Sequence, residues 1–137
     1  MAKKIWFVVH QVNLWGIDNK LIGFWNQEQV NDMKIDDVVI YYRAGRKKIM
    51  GVFKIVGMGI NLNPDFYDDT IVDRTKHQCR LELLSNDIIC NRPTTEKKLS
   101  FHSEWVRHCY GGHAKQVFEA EPNDLKLILR DTSAFLL

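Results

Sequence analysis

Val38-Val39-Ile40-Tyr41-Tyr42 and Ile49-Met50-Gly51-Val52-Phe53-Lys54-Ile55-Val56, joined by Arg43-Ala44-Gly45-Arg46-Lys47-Lys48, decide how this chain folds. Both flanks are rich in β-branched and aromatic residues, which pack well on a pleated, half-buried surface. The connector places Gly45, a residue free to adopt turn conformations, among four cations. The stretch therefore reads as an antiparallel hairpin with a basic tip.

Upstream, Ile5-Trp6-Phe7-Val8-Val9 has the composition of a buried strand. Residues 10–24 read as irregular, because Gly16 and Gly23 break any period. Asn26 followed three residues later by Gln29 imitates a capping box, so a short helix is expected over Gln27 to Met33, stopped at Lys34-Ile35-Asp36-Asp37. Downstream of the hairpin, a loop is expected around Asn61-Leu62-Asn63-Pro64-Asp65. Cys79, Leu81 and Leu83 alternate with Arg80 and Glu82, which marks a strand with one face in and one out. Residues 85–100 are polar, with a turn or short helix at Pro93-Thr94-Thr95. Helix is expected from Phe101 to Tyr110, and again from Leu125 to Leu129, where Glu121-Pro122-Asn123-Asp124 supplies the start and Arg130 the end.

Strands in the middle with helices at their flanks argue an α+β chain with a strongly bent or barrel-like sheet. A length of 137 residues suits one domain, 1–137, and no repeat or linker divides it. Lys plus Arg exceed Asp plus Glu by only 19 − 17 = 2, so a nucleic-acid partner would have to be attracted by a local patch rather than by net charge. Cys79, Cys90 and Cys109 are odd in number and form no CxxC pair, which fits free thiols in a reducing, cytoplasmic setting. The apolar run at Ile5 to Val9 is too short for a signal peptide or a membrane span.

The order of these features resembles a known family. An aromatic first strand precedes Trp15-Gly16 and then Gly23-Phe24-Trp25-Asn26 at a helix start; Met33 to Tyr42 and Gly51 to Val56 follow. That core is similar to the EVE domains, relatives of the YTH domains within the PUA-like superfamily. EVE members usually carry Gly-Asp where this chain has Asp36-Asp37, a departure confined to the turn. Trp105, His108, Tyr110, Gly111 and Ala114 look like the Trp, His, aromatic-Gly and small-residue run of EVE proteins. The resemblance covers roughly residues 4 to 130. It implies a PUA-like β pseudo-barrel with flanking helices that binds DNA or RNA. YTH domains hold a methylated adenine in an aromatic cage, and EVE domains have been linked to modified cytosines.

A base drawn out of its stack needs flat apolar walls and a few polar groups to read its edge. Trp25, followed by Asn26, matches the first cage Trp of YTH domains; the alternative is a Trp packed under the following helix. Trp15 lies in a Gly-flanked polar stretch and could form a second wall or lid, with Asn13 and His10 near a base edge; a loop histidine is more often simply solvated. The loop after the hairpin offers Phe66 and Tyr67 where YTH domains place their second cage aromatic, so Tyr67 is the candidate there. Trp105 and His108 are three apart and share a face if helical, Trp105 in the core and His108 toward the pocket, with Tyr110 beyond. Arg43 suits phosphate or base stacking through its planar guanidinium, and Arg46, Lys47 and Lys48 suit backbone phosphates. The same cations could equally be a solvated turn that blunts a sheet edge.

Other chemistry finds less in the sequence. His108, Cys109 and His113, with Cys90 or His102, have irregular spacing for zinc. Asp65, Asp68, Asp69 and Asp73 lack the glycine of a calcium loop. Cys109 and His113 have no third residue to orient them as a nucleophile pair, and no P-loop or GxGxxG occurs. The expected function is recognition of a modified base in an aromatic pocket, without cofactor, metal or catalysis. A general RNA-binding accessory domain and a nucleoside or nucleotide sensor or enzyme are the alternatives.

Overall fold

The computed structural model describes residues 3–10, 21–24, 30–43, 48–60, 77–89, 96–108 and 117–135. Strand β1 (Ile5–His10) lies beside β3 (Val38–Arg43), and β3 turns back into β4 (Lys48–Ile60), as the hairpin stretch requires. With β2 (Leu21–Phe24), β5 (His77–Ser85) and β6 (Val117–Ala120) they form one six-stranded sheet in the order β2-β5-β4-β3-β1-β6. Only β1 and β3 pair in parallel; the other neighbours are antiparallel. A parallel pair cannot be closed by a tight turn, and the chain between His10 and Val38 makes the crossover. Two short helices, α1 (His102–His108) and α2 (Pro122–Ile128), lie among the described residues.

Both faces of the central strands are covered, which is why β1 and β3 read as nearly continuous apolar runs. Side chains alternate across each strand. Ile5 and Phe7 of β1 and Val38, Ile40 and Tyr42 of β3 face the helices, where they pack with Phe101 and Trp105 and with Leu125 and Ile128. Trp6, Val8, Val39 and Tyr41 face the opposite side and pack with Ile22, Phe24, Phe53, Ile55, Cys79 and Leu81.

That second cluster exists because the sheet folds over on itself. Strand β4 is 13 residues long; residues 48–54 pair with β3 and residues 52–60 with β5. Its register with β5 shifts at Val52/Phe53 and again at Ile55/Gly57. Such bulges bend and twist a strand. Strands β1 and β2 are four steps apart in the sheet, about 19 Å if it were flat at ~4.8 Å per step. Yet the rings of His10 on β1 and Phe24 on β2 lie 5.4 Å apart. The sheet is a curled half-barrel, and the expected bent α+β architecture is present in this form.

A buried carboxylate sets where β1 meets the turn before β3. Asp37, 5% exposed, accepts the backbone N–H of Lys4 (3.1 Å), that of Lys34 (2.9 Å) and the indole N–H of Trp6 (2.9 Å). Its neighbour Asp36 has φ of 77°, the left-handed region that favours glycine. The Gly-Asp pattern noted in the sequence thus has a structural reason here: a left-handed residue followed by the acceptor. Asp124 does similar work at α2, taking the Ser100 N–H (2.8 Å), the Ser100 hydroxyl and the Glu121 N–H (2.8 Å).

Several expectations change. Part of the stretch read as irregular is strand β2, in which Ile22 and Phe24 point inward around Gly23; pairing to β5 supplies an order that four residues are too short to announce. Strand β6 was likewise not legible, and it forms by pairing with β1. The expected helix at Gln27 to Met33 falls partly outside the described residues. Its end is a turn closed by Met33 N–H on the Val30 carbonyl (3.1 Å). Cys79 and Leu81 are buried as the alternation required, but Leu83 is 43% exposed, at the end of β5 beside the register shift. The expected features at 61–65 and 93–95 lie outside the described residues.

Candidate functional site

The open end of the half-barrel is where several candidate residues converge. Strand β1 ends in His10, which faces inward by its alternation with Trp6 and Val8. The His10 ring meets Phe24 at 5.4 Å and Tyr41 at 5.5 Å, both edge-on. Nδ1 of His10 lies 3.4 Å from the Tyr41 hydroxyl, the long end of hydrogen-bond range. In register beside His10 is Arg43, the last residue of β3, and across from Arg43 is Lys48, the first residue of β4. Arg43 is half-buried and Lys48 exposed.

The electrostatics of this end follow from burial. His10, half-buried among aromatic rings, loses part of its hydration, and its pKa falls from an ordinary 6.5 to about 4, so the ring is neutral at physiological pH. Burial pushes the Tyr41 phenol up to about 12, opposed by the positive charge of Arg43. Burial likewise lifts the Cys79 thiol to about 12, deeper in the same cluster. The arrangement is a buried aromatic cluster that holds two uncharged polar groups, with two cations on the neighbouring strand ends.

His10 is therefore a half-buried residue at the end of a strand and not the solvated loop histidine that its sequence setting suggested. Phe24 and Tyr41 were not singled out, since in sequence each is one more aromatic in an apolar run. Phe24 ends β2 directly before Trp25, whereas Tyr41 lies within β3 and carries no local signal.

Trp105 is placed elsewhere. It is 8% exposed and packs on the helix side of the sheet, with ring centroids 5.0 Å from Phe7 and 4.9 Å from Tyr42. It shares neither face nor cluster with His10, Phe24 and Tyr41. The backbone of His108 ends α1. Trp15, Trp25, Asn26, Arg46, Lys47, Tyr67 and Tyr110 lie outside the described residues, although Trp25 and Asn26 directly follow Phe24 in sequence. Among the described residues no three His, Cys, Asp or Glu side chains gather as a metal site, and no helix is long and apolar enough to cross a membrane.

This curled mixed sheet with two helices resembles the fold of a YTH domain. The crystal structure of the MmI1 YTH domain matches this chain with a TM-score of 0.55 over 89% of each chain, at 10% sequence identity. At that identity the likeness is one of fold. No family model and no curated protein matches the chain.

Proposed function

We propose that this chain binds single-stranded nucleic acid, RNA in the first instance, and holds one base at the open end of the half-barrel. The observation that carries the reading is the fold-over itself. It sets the Phe24 ring, one residue before Trp25-Asn26, against His10 at the end of the sheet where Arg43 and Lys48 flank the basic turn. A cluster of aromatic rings and uncharged polar groups suits the edge of an unstacked base, and the cations on the strand ends beside it suit its phosphates. The YTH-like fold and the EVE-like order of sequence features support the same reading.

The finer form of the proposal is that the base is a modified one, with Trp25 as a stacking wall. Stacking on an aromatic is worth about 1–3 kcal/mol per base, which offsets the cost of unstacking. Binding without chemistry is the role proposed. A general acid or base works best with a pKa near the operating pH, and His10 at about 4 and Tyr41 at about 12 are both far from it.

Matched RNA and DNA oligonucleotides, with and without methylated cytosine or adenine, test both levels. Salt-sensitive binding with a preference for one methylated probe is expected, lost in Trp25→Ala. Arg43→Ala and Lys48→Ala should each weaken all probes alike and lower the salt slope by about 1. Equal affinity for every probe would remove the modified base and leave a general RNA-binding domain. Absence of any oligonucleotide binding would remove the nucleic-acid reading, and thermal stabilisation by free nucleosides would then point to a small-molecule sensor.

A further inference from the structure

The aromatic cluster around His10 holds one polar edge that has no partner among the described residues. Tyr41 is 1% exposed, and its hydroxyl lies within reach of His10 Nδ1. Burial keeps that phenol protonated, so it has a proton to donate, and the neutral imidazole offers an acceptor. A Tyr41 O–H donating to Nδ1 requires the other ring proton to sit on Nε2. Phe24 and Tyr41 meet the ring edge-on, and neither brings a polar group to Nε2. Among the described residues Nε2 has no hydrogen-bond partner. His10 is half-buried, so this N–H can be reached by a ligand and gains from an acceptor that the ligand brings.

We infer that His10 is a specificity-determining residue: its Nε2–H, fixed in that tautomer by Tyr41, donates to an acceptor on the bound base, a carbonyl oxygen or an unprotonated ring nitrogen. The inference rests on the base-binding reading and adds to it the polarity of the edge that is read. An exocyclic amino group presented to the same point is rejected, because two donors then face each other in a desolvated site. Tyr41 acts through His10 as a positioning residue and does not touch the base.

Two measurements test this separately from base binding. Nitrogen chemical shifts of the imidazole in histidine-labelled protein report the tautomer without any ligand. The proton should be on Nε2 in the wild-type protein and shared between the two nitrogens in Tyr41→Phe, which keeps the ring and removes only the hydroxyl. A proton on Nδ1 in the wild-type protein overturns the inference, whether or not nucleic acid binds.

The second measurement uses oligonucleotides in which one base has a ring nitrogen replaced by carbon or a carbonyl oxygen removed. One such probe should bind the wild-type protein about tenfold more weakly than its parent, the loss expected when a buried donor is stranded. His10→Ala should bind the parent about tenfold more weakly and no longer distinguish the pair; His10→Gln, which retains an N–H donor, should recover part of the difference. Undiminished discrimination in His10→Ala overturns the inference while leaving base binding intact. Loss of all binding in the wild-type protein would instead remove the base-binding reading.

Discussion

Replacing Asp37 by alanine deletes the acceptor that ties the start of β1 to the turn before β3. Three donors remain behind: the amides of Lys4 and Lys34 and the indole N–H of Trp6. Trp6 is 7% exposed, so its N–H loses a partner without gaining water, at a cost of about 1–3 kcal/mol. The two amides belong to exposed residues and recover part of their bonding from solvent. Placing the indole near the middle of that range and each amide near its foot gives about 4 kcal/mol, a large share of the ~5–15 kcal/mol that holds a domain together. In urea denaturation followed by far-ultraviolet circular dichroism, the midpoint of Asp37→Ala should fall by about 2 M at an m-value near 2 kcal/mol/M, with m itself unchanged. Asp37→Asn keeps one oxygen and should lose about half as much. Trp6→Phe removes the donor that suffers most, so Asp37→Ala should cost about 2 kcal/mol less in that background than in the wild-type protein. A loss below about 1 kcal/mol, or an equal loss in both backgrounds, would refute the assignment of Asp37 as the acceptor that holds this junction.

Asp124→Ala strands the Ser100 and Glu121 amides in the same way and should cost about 3 kcal/mol; unchanged hydrogen-exchange protection at those two amides would count against it. Asp36→Gly should stabilise the protein by about 0.5 kcal/mol, because relief of a left-handed backbone, worth about 1–2 kcal/mol, exceeds the extra entropy of unfolded glycine; a lowered melting temperature would contradict this. His10 is neutral when folded, with a pKa of about 4, whereas the unfolded chain protonates it below its ordinary 6.5. The unfolded state therefore binds more protons as the pH falls from about 6.5 to 4, and up to about 3 kcal/mol of stability is lost across that window. Urea midpoints at pH 7 and 4.5 should converge in His10→Gln relative to the wild-type protein, and an equal drop in both would show that His10 is not the group responsible.

The elements legible from sequence are those whose side chains announce their own environment. Strands β1, β3 and β4 carry apolar and aromatic runs, and α2 carries Pro122 at its first turn behind Glu121, a start signal that the structure meets with a capping box. Strands β2 and β6 carry too few residues for a pattern and exist through the partners they pair with. The same division runs through the candidate site. Arg43 and Lys48 were legible as cations at a turn, since charge beside glycine is a local signal. Trp105 was equally visible as a candidate, yet the packing of Phe7, Tyr42 and Phe101 places it on the helix side of the sheet.

What the sequence determined by itself was the composition of each strand face, the basic hairpin and the α+β class, because period-two alternation, turn residues and caps are properties of neighbours along the chain. Which face would enclose the cluster around His10, Phe24 and Tyr41 was decided only in three dimensions. Two register shifts in a long β4 curl the sheet until Phe24 meets His10 across four strand positions, and that contact removes part of the water that would otherwise leave His10 an ordinary surface histidine. Desolvation depends on everything that surrounds a group, and no local stretch of sequence contains it.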